Sequence, residues 1–231
     1  MKSQECQLKA LLFDLGGTLV KISSEIPNVM KRVLNLRGIN RSLKEISHAR
    51  KEAEKGLDFQ DLPKLLDEFW IQWNEKILSN LHVKSSIQTA KFIKTHWWDY
   101  SDVSLYPDAE KILPLLKERD LKLGIITNGL QSDVDKILPK VSLQGFFDIV
   151  VVIDTLRKMK PDVEVFYYAL EKLRTAPSDA IFIGDEMEAD YNGARKAGLN
   201  AYLIDREGKV HDENVNKISS LNDLFKLGIL K

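Results

Sequence analysis

The sequence places carboxylate, hydroxyl and amine side chains in four short segments, each directly after a run of apolar residues that predicts a buried strand. In the first segment, Asp14 is followed by the glycine pair Gly16 and Gly17. A carboxylate at a strand end could act as a nucleophile or bind a cation. Taken alone, Asp14 could equally be an ordinary turn residue or a helix cap.

The second and third segments carry groups that could hold an anion. Thr127 and Asn128 offer a hydroxyl and an amide beside Gly129, although a simple Asn-Gly turn explains the same residues. Lys160 precedes Pro161 and could present a positive charge at the start of a helix. A solvated lysine beside a helix-starting proline is the alternative interpretation.

The fourth segment contains two carboxylates, Asp185 at a strand end and Asp190 at the entry to a predicted helix. Carboxylates in these positions can converge on a hard cation that prefers oxygen ligands. Asp190 could instead cap the helix. Because open α/β sheets bind ligands at the carboxyl ends of their strands, the four segments together predict a single anion site.

The elements that must position these residues follow the order of a doubly wound α/β sheet. Short apolar runs without alternation are typical of parallel strands buried on both faces, and the helical patterns between the later runs predict crossover helices. The predicted strands cover residues 10–13, 121–126, 149–153, 180–183 and 201–204, and the predicted helices include 108–118, 162–173 and 190–197.

The interval from about residue 20 to residue 106 is too long for a simple crossover, and its composition is that of amphipathic helices. We therefore predict a Rossmann-like core made of residues 1–20 and 101–231, with an inserted all-helical cap over residues 21–100. Trp70 and Trp73 have the spacing of one helix face and are predicted to lie in the core of this cap. The expected cap helices lie near 27–36, 43–54, 62–81 and 85–98.

Composition excludes several classes of partner. Thirty-four basic and 34 acidic side chains balance, so no overall field attracts nucleic acid or an anionic membrane. We expect a small-molecule ligand and a monomer or homodimer. The lone Cys6, the absence of a signal sequence over residues 1–9 and the lack of an apolar run of about 18 residues favour a cytoplasmic location.

With its four motifs in this order, the chain resembles the haloacid dehalogenase-like hydrolase superfamily, in the branch with a helical cap between the first two motifs. The resemblance implies that Asp14 is the catalytic nucleophile and forms an aspartyl-phosphate that water then hydrolyses. It implies that Thr127, together with backbone amides near Asn128, binds the phosphoryl oxygens. It also implies that Lys160 neutralises charge on Asp14 and on the transferred group.

The same resemblance implies a magnesium site. Its ligands would be the carboxylates of Asp14, Asp185 and Asp190 and the backbone carbonyl of Gly16. Such an ion would offset the repulsion between the nucleophile and the phosphate. The expected reaction is hydrolysis of a small phosphorylated metabolite.

One position departs from the pattern of the family's phosphatases, which carry a second aspartate, the general acid, where this chain has Gly16. General acid–base help commonly contributes about 10²–10⁴-fold, so a slow phosphatase is expected. A 2-haloacid dehalogenase also lacks that aspartate, because halide leaves unprotonated, but such an enzyme needs no magnesium and acts on a halogenated substrate.

Two further alternatives stay open. Phosphonate-cleaving relatives form a Schiff base with a cap lysine, which directs attention to Lys44, Lys51 and Lys55, although these residues are also typical of the solvated face of a charged helix. Alternatively, the protein could have lost turnover and bind a phosphorylated ligand as a sensor or partner subunit.

Overall fold

A computed structural model describes residues 8–84 and 87–229 of the chain. Cys6, Ser85 and most of the N-terminal segment considered above lie outside the described residues. By its internal contacts the chain divides into two compact units. The first unit comprises Met1–Lys21, Ser104–Gly129 and Val141–Lys231, and the second comprises Ile22–Val103 and Leu130–Lys140.

The first unit is built on a parallel β-sheet, which confirms the predicted fold class. The strands of the described chain are β1 (Ala10–Phe13), β2 (Val20–Ile22), β3 (Val103–Leu105), β4 (Lys122–Ile126), β5 (Ile149–Val151), β6 (Ala180–Gly184), β7 (Asn200–Ile204) and β8 (Lys217–Ile218). Six of them form one sheet in the order β5-β4-β1-β6-β7-β8, with every neighbouring pair parallel. β1 is therefore a central strand, between β4 and β6.

The central strands are apolar along their whole length because both faces of the sheet are covered. Every residue of β1 and β6 is buried. On one face, Phe182 of β6 meets the ring of Phe166 edge-on, with ring centroids 5.2 Å apart. Full burial of one such side chain contributes about 1.5–3 kcal/mol to the free energy of folding. The carboxyl ends of these strands, and the residues that follow them, are therefore held in defined positions.

The helices of the first unit include the two predicted over 108–118 and 162–173, whereas the short helices over 153–156 and 223–226 were not predicted. The helices of this unit are α6 (Pro107–Lys117), α8 (Ile153–Leu156), α9 (Val163–Leu173), α10 (Gly193–Lys196) and α11 (Asp223–Lys226). The prediction of a continuous helix that begins at residue 190 was wrong. The chain there makes a π-helical segment, Met187–Asn192, before α10, so Asp190 lies inside a widened turn.

The second unit consists mainly of helices: α1 (Ile26–Leu36), α2 (Leu43–Glu54), α3 (Leu62–Leu65), α4 (Asp67–Asn80), α5 (Ile87–His96) and α7 (Gln131–Lys140). α2 begins where predicted because Ser42 and Glu45 form a capping box, with each side chain bonded to the other residue's backbone N–H. The single helix predicted over 62–81 is wrong, since Leu66 has a φ of +53° and separates α3 from α4.

Two strands were missed in the interval that was predicted to be helical. β2 and β3 form a two-stranded sheet where the chain leaves the first unit and returns to it. Three-residue strands carry too little periodicity to be separated from a loop by sequence alone. None of the helices formed by residues 8–84 and 87–229 has the length and apolar character that a membrane crossing requires.

Candidate active site

The candidate site lies at the carboxyl end of the sheet in the first unit. Asp14 follows β1, Thr127 follows β4 and Asp185 follows β6. Because β1 pairs in parallel with both neighbours, the three strands end at the same edge. This is the position at which open α/β sheets bind ligands.

Three carboxylates meet there. Oxygen atoms of Asp14, Asp185 and Asp190 lie within 4.8 Å of one another. Asp14 is 7% exposed and Asp190 is 1% exposed, whereas Asp185 is the exposed member of the group. Like charges at this separation repel strongly when water is excluded, so the cluster requires a positive charge nearby.

Lys160 supplies that charge. Its Nζ donates to Asp14 Oδ1 at 2.7 Å and to Asp190 Oδ1 at 2.5 Å, and the residue is only 3% exposed. Burial alone would lower the pKa of the lysine, but the attraction of the two carboxylates outweighs it and raises that pKa. The ammonium therefore stays charged, and the interpretation of Lys160 as a solvated lysine is wrong.

Two carboxylates of the cluster, Asp14 and Asp185, are hard to ionise. Burial raises the pKa of Asp14 to about 7; Asp190 and Asp185 act in the same direction, while Lys160 opposes them. Burial away from water raises the pKa of Asp185 to about 6, and the negative charge of Asp190 contributes to this rise. A cation bound among these groups would favour their ionised forms.

Two glycines make the close approach possible. A Cβ on Gly184 would lie 2.3 Å from Cγ of Asp190, and a Cβ on Gly17 would lie 2.2 Å from Oδ2 of Asp185. Gly17 also has a φ of +79°, which side chains disfavour. Thr18 Oγ1 then reaches Asp185 Oδ1 at 3.3 Å. The sequence alone did not assign this packing role to Gly184.

Asn128 is positioned to hold Lys160. Its Oδ1 accepts from the backbone N–H of Lys160 at 2.7 Å, and its Nδ2 donates to the carbonyl of Lys160 at 3.0 Å. The side chain of Asn128 is thus engaged with the lysine backbone. Thr127 Oγ1 accepts from Gly129 N–H at 3.2 Å, and a hydroxyl that accepts one bond retains its own proton for a further acceptor.

A residue that sequence reasoning missed fixes the turn after Asp14. Arg206 donates to the carbonyls of Gly17 at 3.3 Å and Thr18 at 2.6 Å, and it pairs with Asp108 at 2.9 Å. Its guanidinium lies 3.7 Å from the centre of the Tyr106 ring. No local pattern links these residues, so only the fold reveals the arrangement.

The three lysines considered for a Schiff base lie on the helices of the second unit. Lys44, Lys51 and Lys55 are all exposed, and Lys55 Nζ pairs with Glu52 at 2.7 Å. This is the environment of a solvated helix face, which agrees with the alternative interpretation of these lysines.

Comparison with known proteins adds independent observations. The family model for a haloacid dehalogenase-like hydrolase matches residues 11–204. The chain is 26% identical to glyceraldehyde 3-phosphate phosphatase of Methanopyrus kandleri, over 89% of this chain and 87% of that protein. It is also 24% identical to (S)-2-haloacid dehalogenase 4A of Burkholderia cepacia, over 95% of this chain and 94% of that protein.

Among solved structures, a Bacillus subtilis chain described as a HAD-hydrolase bound to magnesium superimposes with a TM-score of 0.76. The two chains are 20% identical, and the match covers 97% of this chain and 100% of that one. At this identity the likeness establishes a shared fold.

Proposed function

The chain belongs to the haloacid dehalogenase-like hydrolase family, as its motifs predicted, and we propose that it is a magnesium-dependent phosphatase of a small phosphorylated metabolite. The observation that carries the proposal is the cluster of Asp14, Asp185 and Asp190 beside the buried Lys160. The similarity to a glyceraldehyde 3-phosphate phosphatase supports a phosphate ester as the substrate class.

The donor set suits Mg²⁺, which binds proteins through one or more carboxylates and prefers oxygen ligands. We assign Asp14, Asp185, Asp190 and the carbonyl of Gly16 as its ligands. Oxygen atoms of the three carboxylates lie close enough together to share one ion. Bound there, Mg²⁺ supplies positive charge that offsets the repulsion between the nucleophile and the phosphate.

In the proposed reaction, a carboxylate oxygen of Asp14 attacks phosphorus while the bond from phosphorus to the leaving oxygen breaks. Water then attacks the phosphorus of the aspartyl-phosphate and restores the carboxylate. Lys160 favours the ionised form of Asp14 and neutralises charge on the transferred group. The hydroxyl of Thr127 donates to a phosphoryl oxygen, and Asn128 keeps Lys160 in place.

In this proposal, Gly16 determines which phosphorylated compounds are hydrolysed fastest. It carries no proton for the leaving group, so substrates whose leaving group is a weak base, such as aryl and acyl phosphates, should react faster than alkyl phosphates. We therefore propose a slow enzyme with a strong dependence on the leaving group.

The test is release of phosphate from p-nitrophenyl phosphate and from glycerol 3-phosphate, with magnesium or with a chelator. We expect magnesium-dependent turnover that is faster on the aryl ester and at least about 10³-fold lower in Asp14→Asn, because the nucleophile is lost. Asp120→Asn, which changes an exposed carboxylate of the same unit, is the matched control and should retain full activity.

A second candidate, a 2-haloacid dehalogenase, is favoured by Gly16 and by the dehalogenase relative. Release of chloride from 2-chloropropionate in the presence of a chelator, without release of phosphate from either ester, would replace the phosphatase proposal. Phosphate release that persists in Asp14→Asn would contradict it directly.

The proposed partner is a small molecule, and the proposed location is the cytoplasm. Equal numbers of acidic and basic side chains support the first point, because nucleic-acid-binding proteins carry a basic excess or patch. The location stays a prediction that cell fractionation can test.

A further inference from the structure

The turn that follows Asp14 is held by a side chain from a distant part of the sequence. Arg206 lies two residues after the end of β7, yet its Nη2 donates to the carbonyl of Thr18 at 2.6 Å and its Nε donates to the carbonyl of Gly17 at 3.3 Å. Thr18 is fully buried, so water cannot satisfy its carbonyl. A buried carbonyl needs a donor, and Arg206 provides one.

The guanidinium of Arg206 is itself held in one orientation. Its Nη1 donates to Asp108 Oδ2 at 2.9 Å, and that oxygen also accepts from Ser220 Oγ at 2.9 Å and from Leu221 N–H at 2.7 Å. The guanidinium lies 3.7 Å from the centre of the Tyr106 ring. All three nitrogens of the side chain are therefore engaged. Only the planar fork of an arginine can make these bonds together, since a lysine carries a single nitrogen.

The turn that Arg206 holds carries two groups of the proposed magnesium site. The carbonyl of Gly16, a proposed ligand, directly precedes Gly17 in the chain. The backbone of Gly17 packs against Asp185, and Thr18 Oγ1 donates to Asp185 Oδ1 at 3.3 Å. A shift of the carbonyls at positions 17 and 18 would thus displace the carbonyl of Gly16 and remove the support of the Asp185 carboxylate.

We propose that Arg206 is a positioning residue for metal binding: by holding the turn, it keeps the Gly16 carbonyl and Asp185 in the arrangement that binds Mg²⁺. This inference rests on the proposed function. Groups that orient metal ligands change metal affinity by about 10–100-fold when they are removed. The sign is diagnostic, because a positive charge by itself repels Mg²⁺ and its loss would tighten binding, whereas loss of positioning weakens binding.

The first test is Arg206→Lys, which keeps the charge beside Asp108 but cannot hold two carbonyls at once. Isothermal titration of the folded protein with Mg²⁺ should show a Kd roughly 10-fold higher than that of the parent. Arg119→Lys is the matched control, because the guanidinium of Arg119 also lies over an aromatic ring of the first unit, 5.7 Å from the centre of Phe225. It should leave the Kd within about twofold.

The second test is chemical rescue of Arg206→Ala by guanidinium chloride, at a concentration well below that which denatures the protein. A guanidinium ion in the space of the lost side chain can donate to the same carbonyls, so it should lower the Kd for Mg²⁺ at least about threefold. Sodium chloride at the same concentration is the control for ionic strength. Because guanidinium destabilises folded proteins, a variant that is merely less stable would bind Mg²⁺ more weakly in its presence.

The outcomes separate this inference from the proposed function. If the parent binds Mg²⁺ and Arg206→Lys binds it equally well or more tightly, Arg206 does not position the site, while the phosphatase proposal stands. Equal effects of guanidinium and sodium chloride on Arg206→Ala would overturn the inference in the same way. If the parent binds no Mg²⁺, the proposed function and this inference fail together. Arg206→Lys stays decisive where the alanine variant does not fold.

Discussion

At the scale of single residues, Lys160 compensates two buried carboxylates, and the candidate site depends on it. Its ammonium lies within 2.7 Å of both Asp14 and Asp190. When one member of a buried ion pair is removed, its partner keeps an uncompensated charge away from water. The same lysine therefore serves both stability and the chemistry proposed for Asp14.

Lys160→Met should lower the free energy of unfolding by about 3–5 kcal/mol at pH 7 and reduce phosphatase activity to background. Urea denaturation monitored by circular dichroism measures the first effect. Lys158→Met is the control, because Lys158 pairs with Asp162 and Glu164 at a partly exposed position, and its replacement should have a much smaller effect on stability. Equal losses in the two variants would mean that the buried pairing contributes no special stability.

At the scale of elements, the site depends on the approach of the π-helical segment Met187–Asn192 to the end of β6. Asp190 Oδ2 accepts from the N–H of Glu186 at 3.0 Å, which folds the segment back toward the strand. Gly184 ends that strand, and the side chain of Asp190 occupies the space where a Cβ would be. A π-helical turn with this function agrees with the frequent occurrence of such turns at functional sites.

Gly184→Ala should therefore destabilise the first unit by about 1–3 kcal/mol and weaken magnesium binding, because the added methyl group displaces Asp190. Isothermal titration with Mg²⁺ and urea denaturation measure the two effects. Gly56→Ala is the control: nothing lies within 4 Å of its Cβ position, so its effect should stay within about 0.5 kcal/mol. An unchanged magnesium affinity in Gly184→Ala would contradict the assignment of Asp190 as a ligand.

The start of α11 gives a prediction about pH. A hydrogen bond from Lys226 lowers the pKa of Asp223 to about 2, and bonds from Ser219 and Ser220 act in the same direction. A pKa that is lower in the folded state stabilises the protein above the unfolded value of 3.8, and this stability is lost as the pH falls toward 2.

Asp223→Asn should thus lower the free energy of unfolding by about 1 kcal/mol at pH 7 and have almost no effect near pH 2. Denaturation in urea at a series of pH values between 2 and 7 measures the difference. A difference between variant and parent that does not shrink with falling pH would show that the ionised carboxylate is not the stabilising group.

For the molecule as a whole, the proposed magnesium site would link metal binding to stability. The chain has no net charge, so attraction of a cation depends on the local cluster and not on a long-range field. A ligand that binds only the folded protein stabilises it by about 2.7 kcal/mol at one hundred times its Kd.

Saturating Mg²⁺ should therefore raise the Tm of the first unit by roughly 5–10 °C, given the usual scaling for chains of this size. Circular dichroism melts with magnesium and with a chelator measure the shift. Asp190→Asn should abolish it. Glu188→Gln changes an exposed carboxylate of the same π-helical segment and should preserve the shift. A full shift in Asp190→Asn would place the metal elsewhere.

The family, the parallel sheet and the order of the candidate site segments can all be predicted from the amino-acid sequence. Buried parallel strands must be apolar at nearly every position, so the runs at β1, β4, β6 and β7 are visible without coordinates. A carboxylate directly after such a strand can likewise be recognised from neighbouring residues alone. The start of α2 was predictable for the same reason, because a capping box is written in four consecutive residues.

Which side chains come into contact depends on packing between distant segments and could not be predicted from local patterns. Lys160 and Asp14 are 146 positions apart, Asn128 and Lys160 are 32 apart, and Arg206 and Thr18 are 188 apart. The π-helical form of the turn at Asp190, the break at Leu66 and the gathering of four tryptophans around one cavity depend in the same way on packing between distant segments. Local patterns record the preferences of a chain over a few residues, whereas burial and charge compensation arise only when segments far apart in sequence are brought into contact.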